Sequence, residues 1–378
     1  MWKKILQVSF ILVFLLVFFC ACSETDPDAR VIRLGAGITD HVGLSSVEAP
    51  EEASIYLAEY REVDFDEAAE TLLLGKLTER KEEQGVIYAQ TEPDEEGRAE
   101  ILSIDPGNGV LGYSLAFVSP DGEVEGYAYS LTQEEGFSEQ AQLMEYHHAT
   151  MKMPEEVSDN ETCHQAERLA EEYMDRLGII DYRLRAAAKF QSADQTSADC
   201  YMLWEQTVDN IPITWLEITN NMDAGRRSVY NSSQGFNHDD IRQIGSFGEG
   251  TRMIMHVTDG QLTDLEACLV EPTEPYETRR IVTAGKAFRL VEEVYQQKSE
   301  ETDPRLELAE LQYKCLERDG QMYLYPVWVF GIAEYDADWA KADEDESWRN
   351  QWLEPGDYYH YYIIDAFSGE LLLDPGLE

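Results

Sequence analysis

Two stretches of this chain carry one pattern, and that match constrains its fold more than any other feature. Ala166-Glu-Arg168-Leu169-Ala-Glu171-Glu172 aligns without gaps on Ala287-Phe-Arg289-Leu290-Val-Glu292-Glu293. Each belongs to an apolar stripe at spacings of three and four, the signature of one helix face. The first stripe is Ala166, Leu169, Ala170, Tyr173, Met174 and Leu177; the second is Ala287, Leu290, Val291, Val294 and Tyr295. Ser158-Asp-Asn-Glu161 is a capping-box pattern ahead of the first. Thr283 is placed to cap the second. A third stripe, Phe65, Ala68, Ala69, Leu72 and Leu73, has the same spacing. Three such helices point to repeated modules.

Segments of strand character follow each helix. They are 86–90, 99–104, 110–118 and 124–131, then 183–190, 201–208, 214–219, 227–230, 253–257 and 261–270, and finally 308–317, 322–332 and 358–365. Pro120-Asp121-Gly122, Asp259-Gly260, Asp319-Gly320 and Ser368-Gly369 punctuate them. Asp-Gly between apolar runs is a strong hairpin signal. The expected class is therefore α+β, with repeated modules of one helix packed on an antiparallel β-meander. The expected divisions are an N-terminal module at 51–150, a middle module at 151–280 and a C-terminal module at 281–378.

The N-terminus is of another kind. Lys3 and Lys4 precede an apolar run from Ile5 to Phe19, and Ala21-Cys22-Ser23-Glu24 follows. A basic start, a short apolar run and a small residue at the cut read as a secretory signal, residues 1–21. The run is short of the roughly 20 residues that span a bilayer as a helix. The cysteine resembles the lipobox of bacterial lipoproteins. That resemblance implies that Cys22 is lipidated and becomes the first residue, anchoring the chain at the outer face of a Gram-positive membrane. Cys20 fits less well, because the bulky Phe19 stands before it. Residues 22–50, rich in Asp, Glu, Pro, Gly and Ser, read as a flexible tether.

Charge narrows the partners. The chain has 29 basic and 75 acidic side chains, a net −46. Cleavage at Cys22 takes away Lys3 and Lys4 and no acid, leaving the rest near −48. Such a surface repels nucleic acid and anionic headgroups, so nucleic-acid binding is excluded. With 21 Tyr, 13 Phe, 7 Trp and 43% apolar residues, the roughly 355 remaining residues have ample material for a core. Four cysteines lie beyond Cys22: Cys163, Cys200, Cys268 and Cys315, with no CxxC. Outside a membrane they allow two disulfides in three pairings. Their apolar surroundings favour buried, reduced thiols.

Tyr323-Leu-Tyr-Pro326-Val-Trp328-Val-Phe330 and Tyr361-Tyr-Ile-Ile-Asp365-Ala-Phe-Ser368-Gly369-Glu370-Leu371 flank an acidic insert. These two strands resemble the C-terminal part of YycI-like and PepSY-like extracytoplasmic domains, and of uncharacterised clostridial lipoproteins with this layout. The likeness covers roughly residues 283–373 and extends loosely to 161–230. It implies a regulatory role outside a Gram-positive membrane, where the YycH and YycI proteins restrain a sensor histidine kinase.

No catalytic constellation stands out. HExxH, GxSxG, a P-loop and GxGxxG are all lacking. His147-His148 are adjacent and cannot share one helix-borne site. Asp336, Asp338, Asp343 and Asp345 lack the spacing and glycine of an EF-hand loop. No cofactor or metal is called for. The chain reads as a non-catalytic binding or regulatory protein for a protein or peptide partner; the alternative is a cell-surface hydrolase or a propeptide-like inhibitor. Pro326 cannot donate to a ladder and points to a sheet edge or bulge. With Trp328, and with Trp339, Trp348 and Trp352 in the acidic insert, it forms the expected partner surface.

Overall fold

The computed structural model describes residues 32–120, 122–127, 161–191, 198–214, 251–297, 303–318, 320–335 and 357–372. The order is β1 (Ile32–Arg33), β2 (Thr39–Asp40), β3 (Glu52–Tyr60), α1 (Phe65–Leu72), β4 (Leu77–Glu83), β5 (Val86–Thr91), β6 (Arg98–Asp105), β7 (Val110–Val118) and β8 (Val124–Tyr127). Then come α2 (Glu161–Arg176), β9 (Tyr182–Gln191), β10 (Ala198–Val208), β11 (Ile211–Thr214), β12 (Arg252–Thr258), β13 (Gln261–Cys268) and β14 (Val270–Arg280). The chain closes with α3 (Ala284–Gln297), β15 (Arg305–Arg318), β16 (Gln321–Tyr335) and β17 (Asp357–Asp365).

The expectation of separate helix-on-meander modules is overturned. All 17 strands join one sheet, and three α-helices accompany them among the described residues. Each helix is followed by a meander, but the meanders are fused. β7 pairs with β13, so the strands after α1 and those after α2 form one antiparallel ladder, β4-β5-β6-β7-β13-β12-β10-β9. A second ladder runs β14-β3-β16-β15, with β17 beside β3 on β16. β2 and β11 lie parallel on the far side of β15. The two-residue hairpin from β10 to β11 links the ladders. The physical reason is the open edge. A lone meander leaves a row of unpaired N–H and C=O groups, and fusion satisfies it. Pairings also cross both expected boundaries, since β3 bonds to β14 and to β16.

The helix match survives within this sheet. Cys163, Ala166, Ala170 and Met174 are the buried stripe of α2, packed on the first ladder. Their counterparts in α3 are Ala284, Ala287, Val291 and Tyr295, all buried on the second ladder. α1 adds Phe65, Ala68 and Leu72 to the α2 core, so three helices serve two cores. The caps act as residue chemistry requires. The Asp64 carboxylate accepts from Glu67 N at 2.9 Å, and Thr283 Oγ1 accepts from Lys286 N at 3.3 Å.

Of the tether expected at 22–50, the described part from Ile32 on is folded, onto α3 and β15. Ile38 and Leu44 enter the second core. The Asp40 carboxylate accepts from the amides of Val42, Gly43 and Leu44. Glu292 on α3 accepts from Gly35 N at 2.8 Å. The Gly, Ser and Asp that suggested a linker instead build a tight turn around two apolar anchors.

Candidate functional site

Strand parity places polar groups where they are hard to solvate. In β10, Cys200, Met202 and Trp204 turn towards the helices. Asp199, Tyr201, Leu203 and Glu205 take the opposite face by alternation, and all four are buried. On that face β12 contributes Ile254 and His256, and β13 contributes Asp264. β15 contributes Glu310, Gln312 and Lys314 from the second ladder, opposite Leu311, Tyr313 and Cys315 in the α3 core.

At one end of this face, His256 Nδ1 and Asp199 Oδ2 share a hydrogen bond of 2.9 Å. Thr258 donates to Asp199 Oδ1 at 3.1 Å, and Thr263 bonds both the Thr258 hydroxyl and the His256 carbonyl. The Tyr201 ring meets the imidazole edge to face, with centroids 5.1 Å apart. Beside it, Ser114 Oγ donates to Asp264 Oδ1 at 2.5 Å. Burial pushes the Asp264 carboxyl up to about 6, against the pull of His256 and Ser114.

At the junction of the ladders, Arg183 donates to both Glu205 and Glu310. Arg185 Nη1 lies 3.3 Å from Glu310 and 3.7 Å from Glu205. Gln312 donates to Glu310 at 3.0 Å. Burial holds Glu205 above the usual carboxylate range despite the two guanidiniums. At Glu310 burial acts the same way, but Arg185 and Arg183 outweigh it and hold the carboxyl low. A third group lies beneath α3. There Tyr295 donates to Glu334, and His360 Nε2 is 3.6 Å from the same carboxylate.

Of the expected partner-surface residues, the structure describes Pro326 and Trp328, both on β16. Trp328 is fully buried, stacks on Phe330 and donates Nε1–H to the Val282 carbonyl at 2.9 Å. It is core, and a partner cannot reach it. Pro326 lies on a strand flanked on both sides, and its register with β15 is unbroken there, so neither the edge nor the bulge expected from it is found. Its carbonyl accepts from Ala366 N at 3.2 Å, so its ring nitrogen faces the β3 and β17 side. β3 pairing ends at Leu324 and β17 pairing begins at Val327. The missing N–H therefore falls where the neighbour changes, and no ladder bond is lost. Cys22, Trp339, Trp348, Trp352, His147, His148 and the acidic run from Asp336 lie outside the described residues. Among the described residues, no cluster of three or more His, Cys, Asp and Glu is arranged for a metal.

Sequence reasoning missed Asp199, His256, Glu205 and the two arginines. Alternating polar residues read as a wet face. The available signal was Tyr201 and Leu203, which share a face with Asp199 and Glu205 and so make the alternation apolar on both sides.

No family model matches the chain, and no curated protein matches it. Its architecture is similar to that of an uncharacterized protein from Eubacterium rectale, known from a crystal structure. The two share 12% identity and a TM-score of 0.48 over 88% of this chain and 89% of that one.

Proposed function

We propose that this chain is lipid-anchored at the outer face of a Gram-positive cell membrane, and that its folded body acts by binding and regulates a neighbour at the cell surface. The observation that carries the reading is the apolar run closing on Ala21-Cys22. The fold adds a length limit. Nine residues lie between Cys22 and Ile32 at the start of β1, ten steps along the chain, and a fully extended chain spans at most about 3.5 Å per step. The body therefore sits within about 35 Å of an anchor at Cys22, close enough to meet a membrane protein's extracytoplasmic part. The acidic surface is repelled by anionic headgroups and favours a basic partner segment. Three buried acids and the partly buried Glu310 support binding over turnover. Asp199, Glu205, Glu310 and Glu334 are each held by a base or hydroxyl.

The test is crosslinking on intact cells with a membrane-impermeant reagent, comparing the wild-type chain with Cys22→Ser. The reading expects a defined crosslinked partner that is lost when the variant leaves the membrane. An identical crosslinking pattern from both forms contradicts it. A surface hydrolase is the second reading, favoured by one feature: Ser114 bonded to the raised Asp264 carboxyl, on the same face as His256. Unchanged partner capture by Ser114→Ala with loss of a measured hydrolysis would favour it.

A further inference from the structure

Cys163 Sγ and Cys200 Sγ lie 3.4 Å apart in the core under α2. Cys163 is the third residue of the helix, and Cys200 lies within β10, a strand paired on both sides with β9 and β12. They are 6% and 1% exposed. We propose that the exported chain carries one disulfide, Cys163–Cys200, which clamps the first turn of α2 to the start of β10, a doubly paired strand of the first ladder. The proposal rests on the extracytoplasmic reading, because such bonds persist only in oxidising surroundings.

Three observations select this bond. The sulfurs are already in contact, and closing to a bond length near 2.05 Å needs a shift of about 1.4 Å, within reach of side-chain rotation and a small helix movement. The other inner cysteines are placed elsewhere. Cys315 belongs to the α3 core, where burial pushes its thiol up to about 11 and suppresses the reactive thiolate. Cys268, at the end of β13, faces the Asn108 carbonyl at 3.7 Å. Of the three pairings that four cysteines allow, the structure assigns half of one, and it leaves Cys268 and Cys315 as thiols. The contact also joins residues 37 apart in sequence, so a bond there closes a long loop of the unfolded chain.

The chemistry balances with an external oxidant. The Cys163 and Cys200 S–H bonds break and one S–S bond forms. The two protons go to solvent, and the two electrons reduce the disulfide of a thiol–disulfide oxidant to a dithiol, through a mixed disulfide. Both sulfurs are buried in the folded state, so exchange takes place during folding outside the membrane. Once closed, the bond is shielded and resists mild reductant until the protein unfolds.

The test uses the full chain recovered from the cell surface, lysed directly into denaturant containing N-ethylmaleimide so that buried thiols are also blocked, and digested without reductant. Mass spectrometry should find the Cys163 and Cys200 peptides joined, two hydrogens lighter than the pair of thiols. Cys268 and Cys315 should carry maleimide. Reduction of the unfolded protein followed by refolding and melting with the reductant kept present should lower Tm by about 5 °C. The same treatment of a Cys163→Ala, Cys200→Ala double variant should leave Tm unchanged. Maleimide on both Cys163 and Cys200 overturns the proposal, and a second arm then locates the failure. If the purified chain closes the bond when refolded with oxidised glutathione, the contact geometry stands and the compartment was wrong. If it does not, the geometry fails while the anchor reading, followed on the N-terminal peptide of the same sample, is untouched.

Discussion

Replacing Trp328 with Ala should unfold the protein far more readily without acting on any partner surface. The side chain is fully buried between α3 and β16, stacked on Phe330 and bonded to Val282 O. A buried indole removes roughly 200 Å² from water, which at about 25 cal/mol per Å² is worth about 5 kcal/mol. Measured Trp→Ala changes in cores fall at about 3–5 kcal/mol, cavity included. The orphaned Val282 carbonyl adds about 1 kcal/mol, so Trp328→Ala should lose about 4–5 kcal/mol. Trp328→Phe keeps a ring in the site and forfeits the hydrogen bond, so its loss should be about 2 kcal/mol. Urea unfolding followed by far-ultraviolet circular dichroism reads both changes as midpoint shifts at constant slope. A Trp328→Ala loss below about 1 kcal/mol would refute the packing described for this core.

Other sites give sharp tests. Asp264 titrates near 6 in the fold against about 3.9 unfolded, so its contribution is fully present below pH 4 and is lost as pH rises through 6. The stability of wild type relative to Asp264→Asn should therefore fall by on the order of 2 kcal/mol between pH 4 and 7, and a difference flat with pH contradicts the raised value. Glu310→Leu strands Arg183 and Arg185 beside a single remaining acid, Glu205, and should destabilise by about 3 kcal/mol. Adding Arg183→Leu should restore part of that loss. A Glu310→Leu effect under about 0.5 kcal/mol would show the junction charges to be screened by solvent.

The helices were legible because their stripes repeat every three or four residues and because Ala166–Glu172 and Ala287–Glu293 match. The buried faces of α2 and α3 follow that alignment residue by residue. The sheet was harder to read, since pairing between distant strands leaves no local trace. Nothing in Val110–Ser114 announces Asp264–Cys268 as its neighbour, and that one pairing turns two modules into one ladder. β4, Leu-Thr-Glu-Arg-Lys-Glu-Glu, went unseen because every residue of it is exposed. Its charges suit an edge strand that must refuse further pairing. β14 went unseen past Val270 because Pro272 and Pro275 argue against a strand, and the register slips beside each of them. The turn Asp209-Asn210 was missed as well. Both residues have positive φ, 53° and 64°, which an Asn or Asp tolerates without the Gly that marks a hairpin in sequence. At the site, a proline's missing donor is visible in sequence and points Pro326 to an edge or bulge, whereas the change of neighbour that excuses it is visible only in the fold.

The central claim is that Cys22 holds this body at the outer face of a membrane. The direct measurement is metabolic labelling with an alkyne fatty acid, followed by mass spectrometry of the N-terminal peptide from wild type and Cys22→Ser. The account predicts a mature chain that begins at a lipid-modified Cys22, with label and membrane fraction both lost in the variant. A chain that keeps residues 1–21, or label retained on Cys20 in the Cys22→Ser protein, would contradict it.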